Sequence, residues 1–82
     1  MGTRPIREAK ADMPVSLTVT INGESRQFDA GISIADMIAQ FGLDPKKVAV
    51  ERNLTIVPRS TLGEVQVADG DKYEIVHFVG GG

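Results

Sequence analysis

Apolar and polar residues alternate from Val15 onward, and this period of two is typical of a strand with one buried face and one solvent-facing side. The apolar positions are Val15, Leu17, Val19 and Ile21. Asn22-Gly23 follows and is typical of a type I′ turn, because both central residues of that turn need a positive φ. A second extended stretch then runs through Arg26 and Phe28. The pattern predicts a β-hairpin.

The apolar spacing changes to that of a helix after Gly31. The positions i, i+3, i+4 and i+7 of one helix face are occupied by Ile34, Met37, Ile38 and Phe41. Ser33 precedes them as a favourable N-cap, and Asp36 occupies the capping-box position near the positive helix end. Gly42 can adopt the left-handed conformation in which many helices end. We predict a helix opened by Ser33 and ended by Gly42, with its apolar stripe packed across the hairpin.

Shorter segments fill the second half of the chain. Residues 48–50 predict a short strand that leads into a polar corner at residues 51–53, and residues 56–57 predict a brief extended piece stopped by the following proline. Residues 59–68 are expected to form a loop or a single helical turn. Asp69-Gly70-Asp71 predicts a further turn, and we expect its two carboxylates to lie in solvent.

The last strand is predicted at residues 72–79. Tyr73 and Ile75 share one face of this strand, which we expect to enter the core. Val76 and Phe78 then point outward near the chain end. An exposed aromatic residue on a small acidic protein often marks a partner surface, so Val76 and Phe78 are the predicted docking residues.

The order of these elements indicates the fold class. A hairpin, one helix and then further strands predict an α+β protein with a β-grasp, in which one main helix packs across a mixed sheet. The first and last strands of that fold lie side by side in the sheet centre and run parallel. A parallel first and last strand is therefore the test of this prediction.

Composition leaves room for one domain. The chain has 82 residues, of which 41% are hydrophobic, enough for a single modest core. Residues 1–14 contain two prolines and mixed charges without an apolar period, so they predict a disordered leader. We therefore assign residues 15–79 to the β-grasp domain and residues 80–82 to a flexible glycine tail.

Charge excludes one class of partner and favours another. Nine basic and eleven acidic residues give a net charge of −2, with +1 in the leader and −3 in the rest, so no nucleic-acid partner is expected. The acidic body instead suggests a partner with a basic face. Because no run of 18 apolar residues exists, we expect no membrane association and a soluble, cytoplasmic protein.

Candidate chemistry is confined to the chain end. The chain has one histidine, His77, and no cysteine, and it lacks a phosphate-binding loop or metal-ligand spacing, so neither an enzyme nor a bound metal or cofactor is indicated. The terminal carboxylate of Gly82 is ionised at neutral pH and could attack the α-phosphate of ATP held by another protein. Gly80 and Gly81 would let it enter a narrow cleft. The alternative is an end without a function.

Several segments together resemble the ThiS-type sulfur carriers of thiamin thiazole biosynthesis. These segments are Asn22-Gly23 and residues 48–53, 56–60, 69–71, 74–76 and 79–82. The resemblance implies a ubiquitin-like β-grasp whose C-terminal carboxylate is adenylated by an E1-like activating enzyme using ATP. A sulfur donor, such as a cysteine desulfurase, then forms a thiocarboxylate, and thiazole synthase receives the sulfur. By this resemblance Gly82 bears the sulfur, Gly81 is its required neighbour and Gly80 belongs to the tail.

Two alternatives stay open. The small subunit of molybdopterin synthase shares the fold, the glycine pair and the thiocarboxylate, and it differs in the sulfur acceptor. Residues 51–60 favour the ThiS-type carrier over that subunit. A β-grasp interaction module without chemistry is the other alternative, and it would have no use for a glycine-ended tail.

Overall fold

The structure is a computed structural model that describes residues 16–78. The predicted leader at residues 1–14, Val15 and residues 79–82 lie outside the described residues, so the predictions for the leader and the glycine tail stay predictions. The described elements are β1 (Ser16–Ile21), β2 (Glu24–Asp29), α1 (Ile34–Gln40), β3 (Val48–Arg52), β4 (Thr55–Val57) and β5 (Lys72–His77). Short 3-10 helices at Pro45–Lys47 and Arg59–Thr61 complete the order.

The five strands form one mixed sheet in the order β2-β1-β5-β3-β4. β1 and β5 are parallel, and the other neighbouring strands are antiparallel. Within residues 16–78, the parallel first and last strands and one α-helix packed on the sheet confirm the predicted β-grasp. Because β5 lies in the middle of the sheet, the strand that leads toward the chain end is supported on both sides.

The helix forms where the sequence predicts it. The Ser33 hydroxyl accepts a hydrogen bond from the Asp36 amide at 3.0 Å, and the Asp36 carboxylate accepts one from the Ser33 amide at 3.0 Å. This reciprocal pair is the capping box. Gly42 follows the helix with a φ of +80°. The rings of Phe28 and Phe41 meet edge to face, with 5.8 Å between their centroids, which joins the hairpin to the end of the helix.

The core lies between α1 and the inward face of the sheet. Ile34, Met37 and Ile38 of the helix are fully buried. The other buried apolar side chains are Leu17, Val19, Ile21, Phe28, Val48, Val50, Leu62, Val67, Tyr73 and Ile75. Tyr73 and Ile75 therefore enter the core, as the alternation of β5 predicts.

The segment between β4 and β5 supports the first turn of the helix. The amides of Ile34 and Ala35 donate to the carbonyls of Val65 and Leu62, at 2.9 and 2.8 Å. These contacts satisfy amides that a helix leaves without an internal partner at its N-terminus. The expected single helical turn in this segment is confirmed at Arg59–Thr61.

The corner after β3 differs from its prediction. Glu51 and Arg52 were expected to leave the strand, but both belong to β3, and Arg52 still pairs with Thr55 of β4. The chain reverses at Asn53 and Leu54, whose φ values are +52° and +71°. A two-residue turn of this kind keeps the strands paired up to its flanking residues. The predicted polar corner at residues 51–53 was therefore wrong by two residues.

Candidate functional site at the open face of the sheet

The sheet has an outward face beside the path to the chain end. Val76 and Phe78 lie on it with 59% and 49% of their surface exposed, while Tyr73 and Ile75 point into the core with 1% and 8%. The predicted facing of these four residues is confirmed. Their exposure alone does not test a docking role, so that role stays a prediction.

Phe78 is the last residue that the structure describes, and it is held in place. Its amide donates to the carbonyl of Lys47 at 2.8 Å. The guanidinium carbon of Arg59 lies 6.0 Å from the centre of the Phe78 ring, a cation–π arrangement. Gly82 follows only four residues later. A protein that binds Phe78 would thus contact this chain four residues from Gly82.

Two carboxylates face each other across the same outward face. Glu51 of β3 is paired directly with Glu74 of β5, and it is also paired with Ile56 of β4. Ala49 and Val76, the next pair along β3 and β5, line a shallow hollow together with these side chains. Within residues 16–78 neither glutamate forms an ion pair. Like charges directly opposite each other in a sheet are generally destabilising.

Leu54 lies at the tip of the β3–β4 hairpin and is 89% exposed. Its φ of +71° falls in the left-handed region, which is unusual for a residue with a branched apolar side chain. Holding a residue other than glycine in such a region costs on the order of 1–3 kcal/mol. Ile56, two residues later, is 73% exposed. The sequence reasoning missed this apolar tip because leucine is not a turn signal.

Asp71 forms a buried polar cluster at the opposite side of the same turn. Its carboxylate accepts hydrogen bonds from the Tyr73 hydroxyl at 2.7 Å, the Arg52 guanidinium at 3.0 Å and the Asn53 amide group at 3.1 Å. The backbone amide of Ala68 also donates to it, at 3.0 Å. Asp71 is only 5% exposed. The cluster joins the β3–β4 turn to the start of β5.

The two titratable groups at the centre of this cluster shift in opposite directions. Burial opposes ionisation of Asp71, but the hydrogen bonds from Tyr73, Ala68 and Asn53 and the charge of Arg52 outweigh burial and hold its pKa below the ordinary value. Burial, the hydrogen bond to Asp71 and the Asp71 charge raise the pKa of Tyr73 above its ordinary value. At neutral pH Asp71 is therefore a carboxylate and Tyr73 a phenol.

The expectation that both carboxylates of the Asp69-Gly70-Asp71 turn lie in solvent was wrong for Asp71. Asp69 is exposed and accepts a hydrogen bond from the Thr18 amide at 2.8 Å. Asp71 instead continues the inward alternation of Tyr73 and Ile75, two residues apart, and that period could have revealed its orientation. Its role is to fix the turn from which β5 starts.

His77 and the acidic side chains are the remaining candidates for chemistry within residues 16–78. His77 is exposed near the end of β5, and residues 16–78 contain no group of three or more histidine or acidic side chains placed to hold a metal ion. The one α-helix in this part of the chain is too short to cross a membrane. The features that call for an explanation are therefore the outward face, the Leu54 tip and the chain end.

Comparison with known proteins gives a consistent family. A family model described as the ThiS family matches residues 19–82. The sulfur carrier protein ThiS of Bacillus subtilis is 44% identical over 64 residues, which cover 76% of this chain and 96% of that protein. The crystal structure of the thiamine biosynthesis protein ThiS from Geobacter metallireducens superimposes with a TM-score of 0.66 at 26% identity, and the match covers 80% of this chain and all of that one.

Longer proteins also contain a similar stretch. A thiazole synthase of Paramagnetospirillum magneticum is 52% identical over 66 residues, which cover 80% of this chain. A thiazole synthase of Magnetococcus marinus is 41% identical over 66 residues. The matched stretch is only 20% of either protein, so this chain spans about a fifth of the length of these two relatives. In them a stretch like this one is part of a larger polypeptide.

Proposed function

Since the chain belongs to the ThiS family, we propose that it is the sulfur carrier of thiazole formation in thiamin biosynthesis. The observation that carries the proposal is the extent of the family match, which includes the last residue of the chain. Gly82 would be adenylated at its carboxylate by an E1-like activating enzyme, with release of pyrophosphate from ATP. The persulfide of a sulfur donor such as a cysteine desulfurase would then displace AMP to give an acyl disulfide, and a thiol would reduce that disulfide to the thiocarboxylate, becoming part of a new disulfide itself. The protein itself supplies no catalytic side chain.

Thiazole synthase would receive the sulfur. The support for this partner is the pair of relatives named thiazole synthase in which a stretch similar to this chain is built into the polypeptide. Domains that occur fused in one protein and separate in another are plausible partners in the same reaction. The reaction is proposed to take place in the cytoplasm, and ATP would be bound by the activating enzyme and not by the carrier.

The fold suits this role because it presents a short end beside a firmly held strand. β5 is paired on both sides, with β1 and with β3. Four residues follow Phe78, and four residues can span at most about 14 Å. The activating enzyme must therefore hold its ATP where the Gly82 carboxylate can reach it, with the Gly82 Cα no more than about 14 Å from the Phe78 Cα. Val76 and Phe78 are the proposed docking residues, with Gly80 and Gly81 allowing Gly82 to enter a narrow cleft.

Chemical changes at Gly82 test the proposal. Amidation of Gly82 keeps the chain length and removes the nucleophilic charge, whereas one added alanine moves the carboxylate by up to about 3.6 Å. A displacement of that size is far outside the alignment that in-line attack requires. Both variants should melt like the unmodified protein and fail in ATP–pyrophosphate exchange with the cognate activating enzyme. Exchange by the amidated protein at the unmodified rate would refute the carrier role.

A substitution at the docking face tests the proposed contact. Phe78→Ala should weaken binding to the activating enzyme at least several-fold, because exposed aromatic residues are common anchors of interfaces. Its melting temperature should change little, since about half of the side chain is already exposed. A large loss of stability together with unchanged binding would show that Phe78 serves the fold instead.

A further inference from the structure

The Glu51–Glu74 pair indicates the chemistry of the partner surface. The two glutamates are direct cross-strand partners, an arrangement of like charges that is unfavourable in sheets, and neither forms an ion pair within residues 16–78. Ile56 and Val76 border them on the same face. A cation placed between the carboxylates by a partner would relieve the repulsion, and the surrounding apolar side chains would exclude water and strengthen the attraction. An arginine suits this position because its planar fork can contact two carboxylates.

Charge also decides among the possible occupants of this face. A second copy of the chain would bring its own Glu51 and Glu74 against the first pair, which is repulsive. The leader at residues 1–14 contains basic residues but has a net charge of only +1. The described part of the chain has six basic and nine acidic residues, so a separate protein with a basic, apolar surface is the complementary occupant.

Leu54 adds an exposed apolar side chain at the tip of the hairpin that carries Glu51. A glycine at this position would make the turn without strain. What leucine provides instead is an exposed apolar side chain, held at the hairpin tip two residues from Ile56. Because the strained conformation of Leu54 exposes its side chain to solvent, we infer that this side chain has a role in binding.

We propose that the adenylating partner recognises this carrier through two contacts. The partner places a basic side chain between Glu51 and Glu74, and an apolar pocket of the partner binds Leu54. The inference rests on the proposed function and deepens it, since it names the residues that select the partner and the chemistry of the partner's surface. Together with Val76 and Phe78, these residues follow β3 and β5 from the hairpin tip toward the chain end. They position the carrier, and Gly82 alone reacts.

Charge removal tests the first contact. In ATP–pyrophosphate exchange with the cognate adenylating enzyme, the double variant Glu51→Gln/Glu74→Gln should raise KM about tenfold or more and leave kcat unchanged. The salt dependence of KM should become weaker. The melting temperature should stay the same or rise, because the repulsion is gone. Glu64→Gln is the control, since it removes one charge, half of what the double variant removes, from an exposed position between β4 and β5 and should leave KM unchanged.

Two substitutions at Leu54 test the second contact. Leu54→Gly should raise the melting temperature by roughly 4 °C and yet raise KM several-fold. Leu54→Ala removes the same side chain while keeping a residue that is strained at positive φ, so it should raise KM equally without the gain in melting temperature. If Leu54 served only the fold, KM would instead follow the melting temperature, and the two variants would differ in KM as they differ in stability. Unchanged KM in both variants would overturn this part of the inference.

The outcomes separate this inference from the carrier role. If unmodified protein supports no exchange, the carrier role fails. If it supports exchange but the double glutamine variant keeps its KM, the carrier role stands and the proposed contact is wrong. Self-association of the unmodified protein in sedimentation, lost in the glutamine variant, would identify a second copy as the occupant and overturn the inference. A KM lowered by deletion of residues 1–14, but only while both glutamates are present, would identify the leader as the occupant and also overturn it.

Discussion

The β1–β2 and β3–β4 hairpins reverse through turns of the same kind, yet the second residue of the turn differs. The first turn consists of Asn22 and Gly23, with φ values of +50° and +88°, and the second consists of Asn53 and Leu54, with +52° and +71°. Glycine adopts this conformation without strain, whereas leucine does not. The first turn is thus free of this strain, whereas the second turn is less stable and exposes an apolar side chain.

The two asparagines, by contrast, serve the same purpose. The side chain of Asn22 accepts from the Ile75 amide at 2.9 Å and donates to the Ile75 carbonyl at 3.1 Å. The side chain of Asn53 accepts from the Lys72 amide at 2.9 Å, and it donates to Asp71 at 3.1 Å. Both turns therefore hold β5, the strand that leads to the chain end. The asparagines therefore stabilise the fold, whereas Leu54 is the residue that we propose for recognition.

The largest effect is expected from Asp71, which anchors the second turn. Asp71→Asn removes the negative charge that faces Arg52. It also replaces one acceptor oxygen of the carboxylate with an NH2 donor, although every hydrogen-bonding neighbour of this side chain is itself a donor. The expected loss is about 3 kcal/mol of unfolding free energy, measured by chemical denaturation. Asp69→Asn is the control on the other side of Gly70, and it should cost about 1 kcal/mol because Asp69 is exposed and accepts from one amide. Equal losses would show that the buried cluster contributes nothing special.

Tyr73 should give the next largest effect, and it links the same cluster to pH. Tyr73→Phe removes the hydroxyl that donates to Asp71 and should cost about 2 kcal/mol at neutral pH. Because the pKa of Tyr73 is raised in the folded state, the unfolded chain loses this proton first as the pH rises. Stability of the unmodified protein should therefore fall above about pH 10, the ordinary tyrosine pKa.

The phenylalanine variant should show a shallower alkaline decline than the unmodified protein. Denaturation curves between neutral and alkaline pH provide the measurement. The chain has one tyrosine, so its ultraviolet absorbance reports ionisation of Tyr73 directly. Parallel declines in both proteins would assign the alkaline loss to other groups and contradict the raised pKa.

The difference between the turns also shows what could be read from the sequence. Asn22-Gly23 and the Ser33–Asp36 capping box are local signals, in which residues near in sequence determine the conformation, and both predictions are confirmed. The Asn53-Leu54 turn was missed because its second residue opposes the conformation that it adopts. Nothing local compensates for that strain.

The buried Asp71 was missed for a different reason. Its hydrogen-bond partners Arg52 and Asn53 lie 19 and 18 residues away in the sequence, and they meet Asp71 only once β3 pairs with β5. The Glu51–Glu74 pair likewise depends on strand register. Long-range contacts of this kind are set by the assembled sheet and not by local pattern. The outward facing of Val76 and Phe78, which follows from simple alternation, was predictable.

A third pair of variants tests whether the two asparagines are equivalent. Asn22→Gly and Asn53→Gly each keep a residue that tolerates positive φ, so the turn is not strained, and each removes side-chain hydrogen bonds and adds freedom to the unfolded chain. Each variant loses two such bonds in the described structure and should cost about 1.5 kcal/mol. Hydrogen exchange of the β5 amides should speed up in both. A variant with unchanged stability would remove that asparagine from the set of residues that hold β5.

The smallest effect on stability is expected when a strained residue is placed in the first turn and the strained Leu54 is removed from the second. Gly23→Ala places a Cβ at a φ of +88°, where there is open space and no atom within 4 Å. Its cost, about 1 kcal/mol, is therefore conformational and not steric. Gly63→Ala is the control, since Gly63 also has open space and lacks a positive φ. It should be neutral or slightly stabilising.

The double variant Gly23→Ala/Leu54→Gly completes this test. The two turns belong to different hairpins that are not neighbours in the sheet, so their effects should add. The gain of about 1 kcal/mol at Leu54 should then offset the loss at Gly23, and the double variant should unfold close to the unmodified protein. A double variant as unstable as Gly23→Ala alone would mean that Leu54 carries no strain in solution. The contrast between a turn made for stability and a turn made for recognition would then be lost.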